Sequence, residues 1–252
     1  MVYYTNGTPT AKNDYTIKQG DKQYNQGWYV SYPDTSPING NTSSGGLSAD
    51  SYSGNEIIIR RSKYLCLIRG AYSSTNDVTG NKVNIYDGTF SNSIYGGYTS
   101  GTDCQALNNS VNIYSGSFEG TDKEISGGYS VYANAANNTV NFYGGIVTVN
   151  HKIYGGLGKA ANNNTVNIEG LTITADATIY GGCGTSGNAD NNTVNIKSGS
   201  IMGKIGGGRA GTGSSATGNT VNIEGGIFTD NFKLYGGEAS GTDSANNTLN
   251  LK

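Results

Sequence analysis

Apolar and polar residues alternate in short runs along this chain, and the runs recur. In the phrase "TVNI", Val and Ile stand two residues apart, so they share one face of a strand while Thr and Asn share the other. The valine of this phrase falls at Val83, Val111, Val140, Val166, Val194 and Val221, with Leu249 last, at intervals of 28, 29, 26, 28, 27 and 28 residues. Ile57, in "GNEIIIRR", extends the series upstream by 26. A second phrase, "IYGG", begins at Ile94, Ile153 and Ile179, and returns as "ISGG" at Ile125, "IGGG" at Ile205 and "LYGG" at Leu234. "IRGAYSS" at Ile68 matches "IYGGYTS" at Ile94 almost residue for residue. About seven units therefore fill 55–252, and self-similarity at this period marks a solenoid or a propeller.

Each unit predicts three short strands. "TVNI" is the first. The next apolar position (Phe90, Phe118, Ile173, Ile201 or Phe228) starts the second, and the isoleucine of "IYGG" the third. Gly, Asn, Ser and Thr lie between them, and Gly and Asn tolerate the positive φ of tight turns. Amphipathic helical spacing is absent. The three prolines (Pro9, Pro33, Pro37) all precede the repeats, as suits strands that must donate every ladder hydrogen bond. Three strands in about 27 residues fit one coil of a right-handed parallel β-helix, whereas a WD-type blade takes roughly 40–45. Two small coils per unit would space the Ile positions evenly, but the gaps alternate between 9–12 and 15–19 residues, so one coil per unit is expected. Equivalent residues then stack in columns about 4.8 Å apart, giving a rod of roughly 34 Å. The series beginning at Val83 forms one inner column. Ile85, Ile113, Phe142, Ile168, Ile196, Ile223 and Leu251 form another.

The first 54 residues break the pattern. They hold Trp28, every proline and seven tyrosines, and read as an N-terminal cap (1–54) with one or two irregular rungs, ahead of the repeats (55–252). Lys252 directly follows a repeat strand, which would leave an open β-edge of the kind natural solenoids cap, so a segment of a longer repeat protein is expected. "MVYYTNGTPT" has neither a basic stretch nor an apolar core of signal-peptide type.

Composition narrows the function. The chain has 252 residues, 40 of them Gly, with 13% charged residues and a net charge of −2. No basic stripe is present, which argues against nucleic acid and against an electrostatic membrane anchor. No apolar run approaches the ~18 residues of a membrane span. Cys66, Cys104 and Cys183 occupy different repeat positions without metal-ligand spacing.

Catalytic chemistry is hard to assemble. A glycosidase needs two carboxylates roughly 5–10 Å apart. Asp87 aligns with Ser115, Gly144 and Gly170, so its column holds no second acid. Glu119, Asp122 and Glu124, in "FEGTDKEI", are the densest acidic cluster and read as a solvated loop. The single histidine, His151, reads as a surface-turn residue, which leaves no His-dependent triad or multi-His zinc site. "GGGRAG" at Gly206 satisfies G-x-G-x-x-G but no helix follows it, "GGLGK" lacks Walker spacing, and neither it nor "GGCGT" carries the Asp of a calcium repeat. Glycosylation sequons at Asn108, Asn137, Asn163, Asn191 and Asn246 arise within the repeat itself, where an Asn column can satisfy itself by stacked amide hydrogen bonds.

The outward columns carry more information. After "TVNI" the residues read Arg60, Tyr86, Tyr114, Tyr143, Glu169, Lys197, Glu224 and Lys252: an aromatic ladder followed by alternating charge, the order that in-register neighbours favour. A second aromatic column is Tyr72, Tyr98 and Tyr129, giving way to Leu157, Cys183, Gly208 and Glu238. A third, inside "IYGG", is Tyr95, Tyr154, Tyr180 and Tyr235. Of 19 tyrosines, 17 lie at or before Tyr154, so the N-terminal half presents the rigid amphipathic surface that sugars and proteins use, although tyrosine also favours strands for its own sake. Thr139, Thr165, Thr193, Thr220 and Thr248 form a hydroxyl array beside an Asn column. Ice-binding solenoids have such arrays, but the Glu and Lys at the next outward position argue against that use.

The "NNTVNI–G–IYGG" phrases resemble repeats in large secreted bacterial surface proteins, especially the passenger domains of Gram-negative autotransporter adhesins, over 55–252. The resemblance implies a long extracellular rod that displays binding loops, and it carries no catalytic motif. The expectation is a secreted or cell-surface, non-enzymatic adhesin segment without cofactor or metal and with no membrane insertion of its own. Its partner would be a host-cell glycan or surface protein, met by Tyr86, Tyr114, Tyr143, Tyr72, Tyr98 and Tyr129 and by the variable loops 99–107, 131–136 and 212–217. The alternatives are a carbohydrate-active β-helix enzyme, should Glu119, Asp122 and Glu124 converge with an acid on a neighbouring rung, and a purely structural stalk.

Overall fold

The computed structural model describes residues 52–60, 63–229, 232–240 and 243–252, together with the strands Tyr15–Gln19, Lys22–Tyr24 and Gly46–Ala49. It is an all-β solenoid of about seven turns. A turn near the middle runs Ala135–Ala136, Thr139–Phe142, Ile146–Val147 and His151–Gly158. Each strand pairs in parallel with its counterpart one unit away: Thr139 with Thr165, Val147 with Ile173, Ile153 with Ile179. One sequence unit is thus one turn. The two-residue strand at the turn (Val78–Thr79, Ala106–Leu107, Ala135–Ala136, Ala161–Asn162) is a fourth strand beyond the three expected, and it forms a small sheet of its own. Two residues give too little alternation to be read from sequence. In later turns the first two strands fuse, as at Thr165–Ile173, with a register shift around Glu169.

Period-2 alternation puts Val and Ile of "TVNI" inside. The columns through Val83 and Ile85 are fully buried along most of the rod. Between them and the isoleucines of "IYGG" lies an aromatic stack, Tyr64 on Phe90 at 5.2 Å and Phe90 on Phe118 at 5.1 Å. At the N-terminal end, Tyr15–Gln19 pairs antiparallel with Asn55–Ile59 and with Lys22–Tyr24, while Gly46–Ala49 adds a parallel strand to Leu67–Ser73. Trp28 and the three prolines lie outside the described residues.

The two repeated phrases meet in one contact. Before each "TVNI" stand two residues with distinct tasks. The first turns the chain with positive φ, 55–58° at Asn108, Asn137, Asn163, Asn191 and Asn246, and 64–66° at Gly54, Gly80 and Gly218. The second is a buried asparagine. Asn138 donates from its backbone N–H and from Nδ2 to Asn164 Oδ1 (2.9 and 3.1 Å), and gives its other Nδ2 hydrogen to the Ala106 carbonyl (2.8 Å). Its own Oδ1 accepts the same pair from Asn109 (2.9 and 3.1 Å). Every hydrogen-bonding site of the amide is used, as a fully buried one requires. The pattern links Asn55, Asn81, Asn109, Asn138, Asn164, Asn192, Asn219 and Asn247. The stacked column is therefore the second asparagine of "NN". The first, which carries the sequon, is an exposed turn residue.

The glycine pair seats this ladder. A Cβ on Gly128 would lie 2.3 Å from Asn138 Oδ1, and one on Gly156 the same distance from Asn164 Oδ1. The preceding glycine faces backbone: a Cβ on Gly127 would lie 2.5 Å from the Gly155 carbonyl and from the Thr139 nitrogen. Any side chain at either position would push the "IYGG" strand off the asparagines.

His151 is not a surface residue. It is two residues before Ile153 on the same strand, so it shares that residue's inward face, is 2% exposed and meets Phe118 edge-on at 6.4 Å. Reading "TVNHK" as a turn missed that the strand already begins at the histidine. Burial lowers the pKa of the imidazole from its ordinary value, against a smaller opposing effect of the Val149 carbonyl.

Asn164→Ala is expected to cost about 2–4 kcal/mol in urea unfolding, since it strips partners from buried groups on both sides. Gly156→Ala should destabilise by more than the ~1 kcal/mol typical of point substitutions in general, through its clash with the same amide. An unchanged midpoint in either variant would contradict the ladder. For His151, the neutral form is the folded one. Its contribution is present above the unfolded pKa of about 6.5 and is lost as pH falls from there towards the lowered folded value. His151→Phe should flatten the thermal-stability profile as pH falls below about 6.5, relative to the parent protein. Parallel profiles would show that the histidine is not buried neutral.

Candidate functional site

The outer face of the "TVNI" strands carries three columns. Thr139, Thr165, Thr193 and Thr220 make the first, all half-buried. The second is an outer asparagine ladder, in which Asn112, Asn141, Asn167, Asn195, Asn222 and Asn250 each donate Nδ2 to the Oδ1 of the asparagine one turn earlier at 2.7 Å. Asn84 ends it by donating to Glu56 Oε1, also at 2.7 Å. The third is the column that follows "TVNI". Tyr86, Tyr114 and Tyr143 stack at 4.7 and 4.9 Å with interplanar angles of 5° and 14°, and remain 49, 42 and 48% exposed. Below them Lys197 pairs with Glu169, and Lys252 with Glu224 at 3.3 Å. The column is thus aligned as its sequence predicted.

Stacking has a chemical consequence. Both faces of the Tyr114 ring are covered by its neighbours, so the middle of the ladder offers solvent only a ring edge and a hydroxyl, while Tyr86 and Tyr143 are each stacked on one face. Desolvation between those neighbours raises the Tyr114 pKa, which keeps its hydroxyl a donor at neutral pH. From the last tyrosine of the ladder onward runs a groove of about 350 Å³, with Asn141, Asn167, Asn195 and Asn222 on one side and Tyr143, Glu169, Lys197 and Glu224 on the other. The sequence columns contained this groove, but reading each column singly did not show that two of them wall one depression.

The second and third tyrosine columns lie together on the outer face of the "IYGG" sheet, where they are occupied internally. Arg69, 3% exposed, lies over Tyr72 at 4.6 Å and Tyr98 at 5.6 Å. Tyr72 shares a hydrogen bond with Ser100 (3.1 Å), and Tyr129 meets Tyr98 edge-on at 5.2 Å. Tyr95, Tyr154 and Tyr180 are buried, and desolvation raises the pKa of each phenol. The Tyr180 ring fills the space above Gly206 and its hydroxyl donates to Glu238, two turns on. Burial works against the Glu238 charge, but hydrogen bonds from Lys204 and Tyr180 outweigh it and hold the carboxyl below its ordinary pKa. Tyr72, Tyr98 and Tyr129 are partly exposed edges of this packed layer.

The acidic cluster is divided. Glu119 is exposed at the end of a short strand and Asp122 is a turn residue with φ 55°. Glu124 is not in a loop. It lies in the strand Lys123–Ser130, accepts the Tyr95 hydroxyl at 2.7 Å and has Lys152 beside it on the next turn. Among the described residues no group of three or more His, Cys, Asp or Glu could hold a metal ion. The variable loops 99–107 and 131–136 join the "IYGG" strand to the two-residue strand, and 212–217 joins it directly to Thr220–Ile223, in each case a corner away from the groove.

No family model, curated protein or solved structure matches this chain.

Cys183, 4% exposed under the tyrosine layer, has its thiol pushed up to about 11 by burial, partly offset by Arg209. At pH 8 its thiolate fraction should be on the order of a thousandth. Peptide mapping after iodoacetamide treatment of the native protein should find Cys183 unmodified, with labelling appearing only on unfolding. Prompt native labelling would show that the layer opens.

Proposed function

We propose that this chain is a non-enzymatic, extracellular recognition rod, an adhesin segment of the kind its repeats resemble in autotransporter passenger domains, and that it contacts a host-cell glycan or surface protein. The observation that carries this reading is the third column. Three large aromatic residues stand in register on successive turns and stay nearly half exposed, where a rod selected only for stability would gain by covering them. The tyrosine layer on the "IYGG" sheet contributes mainly rigidity. Its rings are engaged with Arg69, with Lys204 and with one another, so Tyr72, Tyr98 and Tyr129 can add only a rim.

Nothing near Glu119, Asp122 and Glu124 favours hydrolysis. The one member held in a strand is hydrogen-bonded to a phenol and flanked by a lysine, so its carboxylate is engaged within the sheet.

The test is binding of the purified protein to a glycan array and to host cells, beside a variant carrying Tyr86→Ser, Tyr114→Ser and Tyr143→Ser. The variant should keep its strand circular dichroism and lose at least tenfold in binding. Equal binding by both would move recognition off the ladder. No binding by either would leave a structural stalk.

A further inference from the structure

We infer that the groove beside the outer asparagine ladder binds a straight, neutral, β-1,4-linked polysaccharide laid along the solenoid axis, one sugar residue per turn. This rests on the recognition reading above and specifies its ligand.

Hydrogen-bond valence comes first. A carboxamide has two N–H donors and two acceptor lone pairs. In the outer ladder each asparagine uses one of each on its neighbours. One donor and one acceptor per turn remain directed to solvent. The inner ladder leaves none, so only the outer one can receive a ligand. The threonine column flanks the asparagines on the side away from the Tyr143–Glu224 wall, two residues away along each strand, or roughly 6.6 Å, so a ligand seated on the amides lies next to it. The surface is therefore a lattice of hydroxyls and half-used amides, about 6.6 Å by 4.8 Å.

Period and charge select among polymers. A peptide strand lying along the axis repeats every ~3.3 Å and falls out of phase with turns ~4.8 Å apart. The phosphates of a nucleic-acid strand would meet the carboxylates of Glu169 and Glu224. Lys197 lies between Glu169 and Glu224 and pairs with the first, so the rim holds no uncompensated cation to attract a polyanion. Extended β-linked pyranose chains advance by about one turn per residue and present a hydroxyl-rich edge at each step. Successive sugars in such chains are flipped, and a column that offers both a donor and an acceptor on every turn accommodates the alternation. Coiled α-linked glucans cannot follow a straight row.

The tyrosine ladder agrees. A sugar that stacks on an aromatic residue needs a ring face, and of this ladder only Tyr143, at the end of the groove, has one not stacked on another ring. Along the other three turns recognition comes from many edge-on hydrogen bonds, each weak, summed over turns. That is polymer binding. The groove spans four turns, Asn141 to Asn222, so affinity should grow with chain length up to about four sugars and then level off.

Titration calorimetry with cello-, manno- and xylo-oligosaccharides of two to six units tests this directly. At least one series should gain tenfold or more in affinity from two to four units, with little beyond. The near-isosteric triple variant Thr165→Val, Thr193→Val, Thr220→Val should lose at least tenfold while melting unchanged. If glycans or cells are bound but without length dependence, or if the Thr→Val variant binds like the parent while the tyrosine variant fails, the axial ligand is wrong and the recognition reading survives. If none of the three series binds, this inference falls. If the array and the cells are also negative, the recognition reading falls with it. Thermal hysteresis without oligosaccharide binding would assign the face to ice and overturn both.

Discussion

The close approach of the glycine pair to the buried asparagine ladder is the constraint on which the rest of the solenoid depends. One side of each turn holds only small apolar residues, such as Ala71, Val78, Ala106 and Ala135, beside the amides. The "IYGG" backbone rests directly on a row of amides, and those amides are stable in the interior only because each is saturated by the turns above and below. Removing an amide from water without replacing its bonds costs several kcal/mol. The contact is thus all-or-none along the rod. A turn that slips by one residue loses its own asparagine bonds and those of both neighbours. Register, which alternation alone leaves open to slippage in Gly-rich strands, is fixed here by polar groups, while Val and Ile supply the apolar burial.

Much of this was legible in the sequence, because a solenoid turns periodicity into geometry. The spacing of Val83 to Leu249 gave one turn per unit, and the order Tyr86, Tyr114, Tyr143, Glu169, Lys197 gave a column whose stacking and ion pairing the structure reproduces. What escaped was whatever depends on contacts between distant parts of one turn. That "NN" separates into a turn residue and a ladder residue cannot be read from identical letters. The reason for two glycines lies eight to twelve residues away, in the asparagine they accommodate. His151 was misplaced because one polar residue at a strand's first position looks like loop, although its parity with Ile153 points inward. The candidate site shows the same division: the columns were visible, but their exposure was not. Tyr86 and Tyr95 are both tyrosines on repeat strands, yet one is half exposed and the other is sealed beneath its neighbours.

The two ladders differ in chemical role because of their surroundings. Inside, every valence is consumed and the amide acts as mortar. Outside, half the valence remains, repeated on every turn beside threonine hydroxyls. A rod built this way presents a surface whose pattern is set by its own backbone spacing and which lengthens in step with it, so affinity for a periodic partner can be tuned by adding turns without altering any single contact.

The ladders also run in opposite senses. Within the buried one, each Nδ2 points to the following turn, from Asn55 to Asn81 and onward to Asn247. Within the outer one, each points to the preceding turn, from Asn250 back to Asn84 and finally to the Glu56 carboxylate. Aligned peptide units give an α-helix a macrodipole, and a single column of aligned carboxamides would polarise this rod in the same way. Two columns of opposite sense cancel. Side-chain polarity therefore adds no field that grows with length, and parallel strands contribute little of their own. The ends of the rod carry no charge accumulated from its middle, so turns can be added to either end without an electrostatic penalty that rises with their number.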